Sequence, residues 1–265
     1  MEENSIIIGL KKLSELSSQS NSNLFEKMQI MHSVYLGRHS NIYTDNYLIQ
    51  INYYLKSTLY KFHLTSMSLE ELWSLSELKR GELFDAIENS VNILDITDIE
   101  LKIISFVFEG FLFQARSFLD FVMIYLCLLL KINHQGKISK KKFFNSLEMQ
   151  KDKILHSKAI NVSNYFMNHV FGDNNFHGLF PNNWGTLLTD LRDKIVHRDK
   201  IRPSFKSTEK LSNNILFNWP TIQDLTYDRF QKYIQNGMFS LFVEVMPIIF
   251  DLKWIAGKVD HNSWD

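Results

Sequence analysis

Residues 97–131 read TDIELKIISFVFEGFLFQARSFLDFVMIYLCLLLK, and this stretch decides the fold. Thr97 and Glu100 stand three apart ahead of an apolar run. That is a capping box, in which each side chain satisfies a backbone N–H at the start of a helix. The spacing predicts one helix from about Asp98 to Lys131, ending before Gly136. Apolar residues fall on nearly every side of it, so it must sit at the centre of the fold. Glu109, Gln114, Arg116 and Asp120 interrupt the most apolar part, Ile103 to Leu130, which reads as a buried core helix and not a membrane span. Arg116 and Asp120 are four apart, and Glu109 and Arg116 seven apart, so each pair shares a face. Buried charge needs a partner. These side chains form an internal ion-pair network or line the wall of a site.

Other helices flank this one. A Ser/Asn-rich run, Ser17 to Asn23, leads into a helix over Leu24–Tyr35, and Gly37 to Thr44 reads as a turn. Leu48, Ile51, Leu55, Leu59 and Phe62 recur at three and four, which predicts an amphipathic helix over Asp45–Leu64. Ser68 and Glu71 make a second capping box and predict a new helix there. Downstream, Ser139 caps a helix reaching about Ser157, whose first turn holds Lys140, Lys141 and Lys142 facing an anion or solvent. Further helices are expected over Val162–Phe171 and Trp184–His197, separated by a Gly/Asn/Asp-rich loop. Residues 199–223 read as irregular, with a short strand at Ile215-Leu216-Phe217. Asp224 caps a last helix running from Leu225 towards Trp254, weakened at Gly237 and Pro247. The expected fold is all-α, a multi-helix bundle around the long apolar helix. Residues 1–97 form an N-terminal helical extension, and 98–265 the main helical domain.

Composition agrees. Hydrophobic residues are 45% of 265 and charged residues 22%, enough apolar side chains for a real core. Only 4 prolines and 10 glycines break the chain, which favours long helices. Lys+Arg and Asp+Glu are both 29, so no broadly basic surface coats nucleic acid, although a local basic groove remains open. Cys127 is the one cysteine and lies in an apolar run, so no intramolecular disulfide forms. The N-terminus, Met1-Glu2-Glu3-Asn4, shows no secretion pattern, so the expected location is cytoplasmic, without a membrane.

Chemistry concentrates in Leu191-Arg192-Asp193-Lys194-Ile195-Val196-His197-Arg198-Asp199. Arg offers five donors in a fixed fork that suits a phosphate. His exchanges protons near neutral pH. An anion clamp beside a proton-transfer group is what phosphodiester cleavage without a metal needs. Arg192 and His197 are five apart, roughly 140° and 7.5 Å on an ideal helix, so they do not share a face. They converge only if the helix ends near His197 or a second copy lies across an interface. Asp193, four from His197, is within reach to orient the imidazole and raise its pKa. Lys194, Arg198, Lys200 and Arg202 are candidates to track an RNA backbone. The same residues also read as a solvated helix end, with Arg198 and Lys200 complementing the dipole and His197 capping carbonyls.

The nine residues resemble the signature of the HEPN superfamily: Arg, a polar residue, three more residues, then His. Arg192, Asp193 and His197 match it position by position. The helix around Gln114-Ala115-Arg116-Ser117-Phe118-Leu119-Asp120 is similar to the long core helix of such proteins, and the resemblance covers about Asp98 to Lys258. It implies a homodimer with two motifs facing one cleft. It implies a metal-independent endoribonuclease acting on tRNA or mRNA, leaving 2′,3′-cyclic phosphate and 5′-OH ends. Arg192 and His197 would be catalytic, with Asp193 in support. The family setting is toxin–antitoxin or anti-phage defence, with an antitoxin or other defence component as partner. An acidic residue from an earlier helix often supports the site, and Glu109 and Asp120 are both candidates. Some members have lost activity and only bind, so the alternative is an inactive module binding a protein partner or nucleotide. No metal or cofactor is expected: nine histidines include no His-x-x-x-His pair, and no Gly-rich phosphate loop is present.

Overall fold

The computed structural model describes residues 21–81, 93–94, 96–132, 138–172, 183–196, 204–210, 216–222, 225–251, 254–255 and 258–259. The chain is all-α, a multi-helix bundle with a small accessory sheet. The helices are α1 (Asn21–His39), α2 (Asp45–Gly81), α3 (Asp98–Leu129), α4 (Lys140–Glu148), α5 (Lys153–Tyr165), α6 (Trp184–Val196), α7 (Tyr227–Ser240) and α8 (Met246–Phe250). A 3-10 turn, Ser40–Ile42, follows α1; π-helical turns at Phe166–Val170 and Leu241–Val245 extend α5 and join α7 to α8.

The chain forms two compact units. One holds Met1–His63, Ser117–Thr186 and Asn236–Asp265; the other holds Leu64–Arg116 and Leu187–Gln235. Both draw on residues from either side of position 97.

Helix α3 begins as its capping box dictates. The Thr97 N–H and hydroxyl donate to Glu100 Oε2 at 2.7 and 2.8 Å, and the Glu100 N–H returns to Thr97 Oγ1 at 3.3 Å. Lys79 adds an ion pair to the same carboxylate at 3.2 Å. Burial opposes ionisation of Glu100, but these donors outweigh it and hold the carboxyl below its usual range. The helix ends at Leu129, seven residues before Gly136. Lys131 takes the left-handed conformation (φ 57°), its N–H bonds Leu128 C=O, and the Ile132 N–H bonds Cys127 C=O. This is a Schellman cap built without glycine.

From Phe118 to Leu130, all but the half-buried Asp120 and Phe121 are buried. In the first unit Phe118 joins Phe62 of α2 and Phe242 in a three-ring cluster with centroids 5.3–5.9 Å apart. His32 of α1 lies between Tyr125 of α3 and Asn52 of α2, 2.8 Å from each. The Asn52 amide donates to Leu48 C=O, so its oxygen accepts from His32 Nε2–H, and His32 Nδ1 accepts from the Tyr125 hydroxyl. One neutral imidazole thus ties three helices together. The first half of α3 is two-faced: Ile104, Phe108, Phe111 and Leu112 are buried, while Ile99, Ile103, Phe106 and Phe113 are exposed. Here the expectation of burial on every side does not hold.

Three other expectations need correction. No new helix starts at Ser68, because the Ser68 hydroxyl donates to Leu64 C=O at 3.0 Å and sits inside a continuous α2. The helix capped by Ser139 stops at Glu148. Asp152 restarts the chain as α5 by accepting from the Ile154 and Leu155 N–H groups, while the Gln150 side chain donates to Leu130 C=O and accepts from Asp152 N–H. Residues 199–223 also contain more order than one short strand. β2 (Ser204–Lys210) and β3 (Leu216–Ile222) pair antiparallel, with a bulge between Ser207 and Glu209. β1 (Ile93–Leu94) pairs parallel to β3, and β4 (Leu225–Thr226) antiparallel to it. A separate two-stranded ribbon joins β5 (Trp254–Ile255) and β6 (Lys258–Val259). The expected cap at Asp224 and loop over 173–182 lie outside the described residues.

Gly237 is not a weak point of the last helix. A Cβ there would fall inside the fully buried Trp184 indole. Gly237→Ala gains about 1 kcal/mol in helix propensity but overpacks the core, so a net loss of about 1–3 kcal/mol is expected in urea unfolding. An unchanged or higher midpoint would show that the indole has room to move.

Burial holds the His32 imidazole below its ordinary range, against the opposing Asn52 hydrogen bond. The unfolded chain therefore takes up a proton near pH 6.5 while the fold resists it. Stability is full above that pH and falls as pH drops through it. His32→Gln keeps a donor and an acceptor but cannot titrate. The stability gap between wild type and this variant should narrow from pH 7.5 to 5.5, and a pH-independent gap refutes the assignment.

Candidate functional site

The motif helix α6 is anchored at its start. Trp184, Leu188 and Leu191 are buried, and Leu187 and Ile195 half-buried, which is the stripe its spacing calls for. Trp184 seats on Gly237, and Gly185 packs so close to Val170 that a Cβ would lie 2.6 Å from Val170 Cγ1. Both contacts belong to the first unit. They hold the first turn of α6, and the motif occupies its last turns.

Arg192 and Asp193 are brought together. Arg192 Nη1 donates to Asp193 Oδ1 at 3.0 Å, with the two side chains 36% and 49% exposed. The pair is half-open to solvent, and the guanidinium keeps N–H donors beyond the one used. Lys194 next to it is exposed. His197, Arg198, Lys200 and Arg202 lie in residues 197–203, outside the described residues.

The acidic candidates are placed apart. Glu109 is half-buried and shares the second unit with Arg192. Burial, and then the Glu109 carboxylate, raise the pKa of the Tyr227 phenol, whose ring stacks on Phe108 at 4.0 Å. Asp120 is half-buried in the first unit.

Two polar clusters escape sequence reasoning. One is the His32 network. The other is Lys158, buried in the apolar stripe Leu155–Ala159–Val162, whose ammonium donates to Ile249 C=O at 2.7 Å and Asp251 Oδ2 at 2.6 Å. Asp251 caps α8 in the left-handed conformation, φ 57°. A cleft of about 510 Å3 opens beside this pair, lined also by Ser157, Asn161 and Pro247. Its two charged lining residues, Lys158 and Asp251, pair with each other, so it offers no net charge to a ligand. The local signal for both is a polar residue on a buried apolar stripe, but the partners lie 91 to 93 residues away. Lys140, Lys141 and Lys142 are exposed, and Lys140 lies 4.7 Å from the Phe171 ring centroid.

Burial pushes the Cys127 thiol up to about 12, so it is neither a thiolate nor a ready nucleophile at neutral pH. Among the described residues, no three His, Cys, Asp or Glu side chains gather as a metal site would need. Among the described residues two helical runs, Asp98–Leu129 and Arg229–Phe250, are long and apolar enough to cross a membrane, and most of each is buried within the protein. No protein family, curated protein or solved structure matches this chain.

Asp193→Asn removes a half-exposed ion pair and should change stability by less than about 1 kcal/mol in urea unfolding. A larger loss would show that the pair holds the end of α6 together.

Proposed function

We propose that this chain is a metal-independent endoribonuclease of HEPN type, cytoplasmic, acting as a homodimer in a toxin or anti-phage defence system. The observation that carries the reading is the pattern Arg192-Asp193-Lys194-Ile195-Val196-His197, of which Arg192 to Val196 close helix α6, with the Arg192 fork half-open to solvent. In this reading His197 takes the proton from a ribose 2′-OH, whose oxygen attacks the adjacent phosphorus. The bond to the 5′-oxygen breaks, and that oxygen leaves with a proton from the second copy's imidazolium. Arg192 balances charge building on the non-bridging oxygens. The products are a 2′,3′-cyclic phosphate and a 5′-OH. Asp193 restrains the Arg192 fork while leaving other N–H donors for phosphate. Lys194, Arg198, Lys200 and Arg202 track the tRNA or mRNA backbone. Glu109 and Asp120 remain the acidic candidates for support. An antitoxin or other defence component would control it.

A specific observation favours a second reading. The nearest partner of Arg192 is a carboxylate in its own helix, as an inactive HEPN-like module that binds a protein or nucleotide would have. RNA cleavage in EDTA separates the two. Wild type should leave 2′,3′-cyclic phosphate ends, and Arg192→Ala or His197→Ala should lower the rate by about 100-fold or more, with helical circular dichroism unchanged. Wild-type rates in either variant would show that this motif is not the site. No cleavage by the folded wild-type protein would favour the binding module.

A further inference from the structure

The solvent face of α2 in the first unit interleaves aromatic and cationic side chains. Ile49, Tyr53, Lys56, Tyr60 and His63 follow one another at four, three, four and three, so they form one stripe along the helix. All five are exposed, Tyr53 and Tyr60 at 59% each, while Ile51, Leu55, Leu59 and Phe62 on the opposite side are buried. No Asp or Glu occurs between Asp45 and Glu70, so the only formal charge on the stripe is positive. A cleft of about 390 Å3 opens beside Tyr60, lined also by Phe25 and Gln29 of α1 and by Lys56 and His63, with no carboxylate. Lys61 Nζ lies 5.9 Å from the Tyr60 ring centroid, a second cation beside the same ring. All of these residues belong to the first unit. A single exposed ring needs no explanation, but rings and ammonium groups interleaved on one face share a chemistry. The rings stack bases, and the ammonium groups hold phosphates.

We propose that this stripe is a track for single-stranded RNA, with one base stacked on Tyr60 at the cleft, another on Tyr53, and a backbone phosphate on Lys56 between them. Tyr53 and Tyr60 stand seven positions apart, about 10.5 Å along the helix axis, so each ring takes its own base. A duplex hides its base faces in its own stack, so the strand must be single. An anionic lipid surface fits worse. A helix that lies in a membrane interface keeps its cations on a polar face away from its apolar one, whereas Lys56 and His63 stand in the same stripe as the tyrosines. An acidic protein segment would engage Lys56 but needs no exposed ring faces. The proposal rests on the endoribonuclease reading for the choice of RNA. It gives the substrate a holding surface on the unit that does not contain Arg192, and gives the N-terminal helices a task.

Fluorescence anisotropy of the full chain with a labelled 2′-O-methyl oligouridine of about 12 nucleotides tests it. This probe has no 2′-OH to attack, so binding is read without cleavage. Wild type should bind it. Tyr60→Ala should weaken binding about tenfold, and Tyr60→Phe should bind as wild type does, because stacking needs the ring and not the hydroxyl. Lys56→Gln should lower the slope of log Kd against log salt by about 0.7, the loss of one phosphate contact on a single strand. No binding by wild type, wild-type affinity in Tyr60→Ala, or an unchanged salt slope in Lys56→Gln overturns the proposal. So does wild-type flotation with phosphatidylserine vesicles that Tyr60→Ala abolishes, which would make the stripe a lipid contact. Failure of the nuclease reading looks different: RNA with its 2′-OH would be bound through Tyr60 yet left uncut by wild type.

Discussion

From Ala115 to Leu130 helix α3 is apolar around most of its circumference, and this surface must be removed from water. Each buried large side chain contributes about 1.5–3 kcal/mol, so this segment is a major source of stability. What covers it is also set in register by directional bonds. Tyr43 donates to Leu129 C=O at 2.7 Å, Gln150 donates to Leu130 C=O, and His32 accepts from Tyr125. Hydrophobic burial is nondirectional, so these polar contacts decide which rotation of each helix is the native one.

The helix ends show the same division between local and distant causes. Thr97 and Glu100 cap each other within four residues, and Ser139 and Asp152 each cap the turn that follows them. The left-handed residues Lys131 and Asp251 occupy positions where glycine is usual. Asp251 is held there by a bond to Lys158, 93 residues away. Distant contacts impose a conformation that its own chemistry opposes.

The motif helix joins a closely packed beginning to a half-open end. Trp184 and Gly185 lock its first turn by contacts too close for any Cβ on Gly237 or Gly185. The last turns then carry Arg192 and Asp193 to half-open positions.

Local chemistry alone marks the all-α class, the span of α3, the caps at Thr97 and Ser139, and the buried stripe of α6. Each depends on residues within one or two turns of each other. Arg192 was legible as a candidate because its neighbours in the pattern are neighbours in the chain. Tertiary structure decided the rest. Ser68 caps nothing, because in a continuous helix its hydroxyl bonds a carbonyl one turn back. Gly237 is a seat for Trp184, which sits 53 residues earlier in sequence by simple numbering. His32 and Lys158 are buried because partners 93 and 91 residues away satisfy them. The two faces of α3 begin alike in composition, and only packing determines that Phe108 is buried while Phe106 meets solvent. The physical reason is common to all of these. Periodicity reports which face of a helix is apolar, whereas burial depends on what the rest of the chain brings to that face.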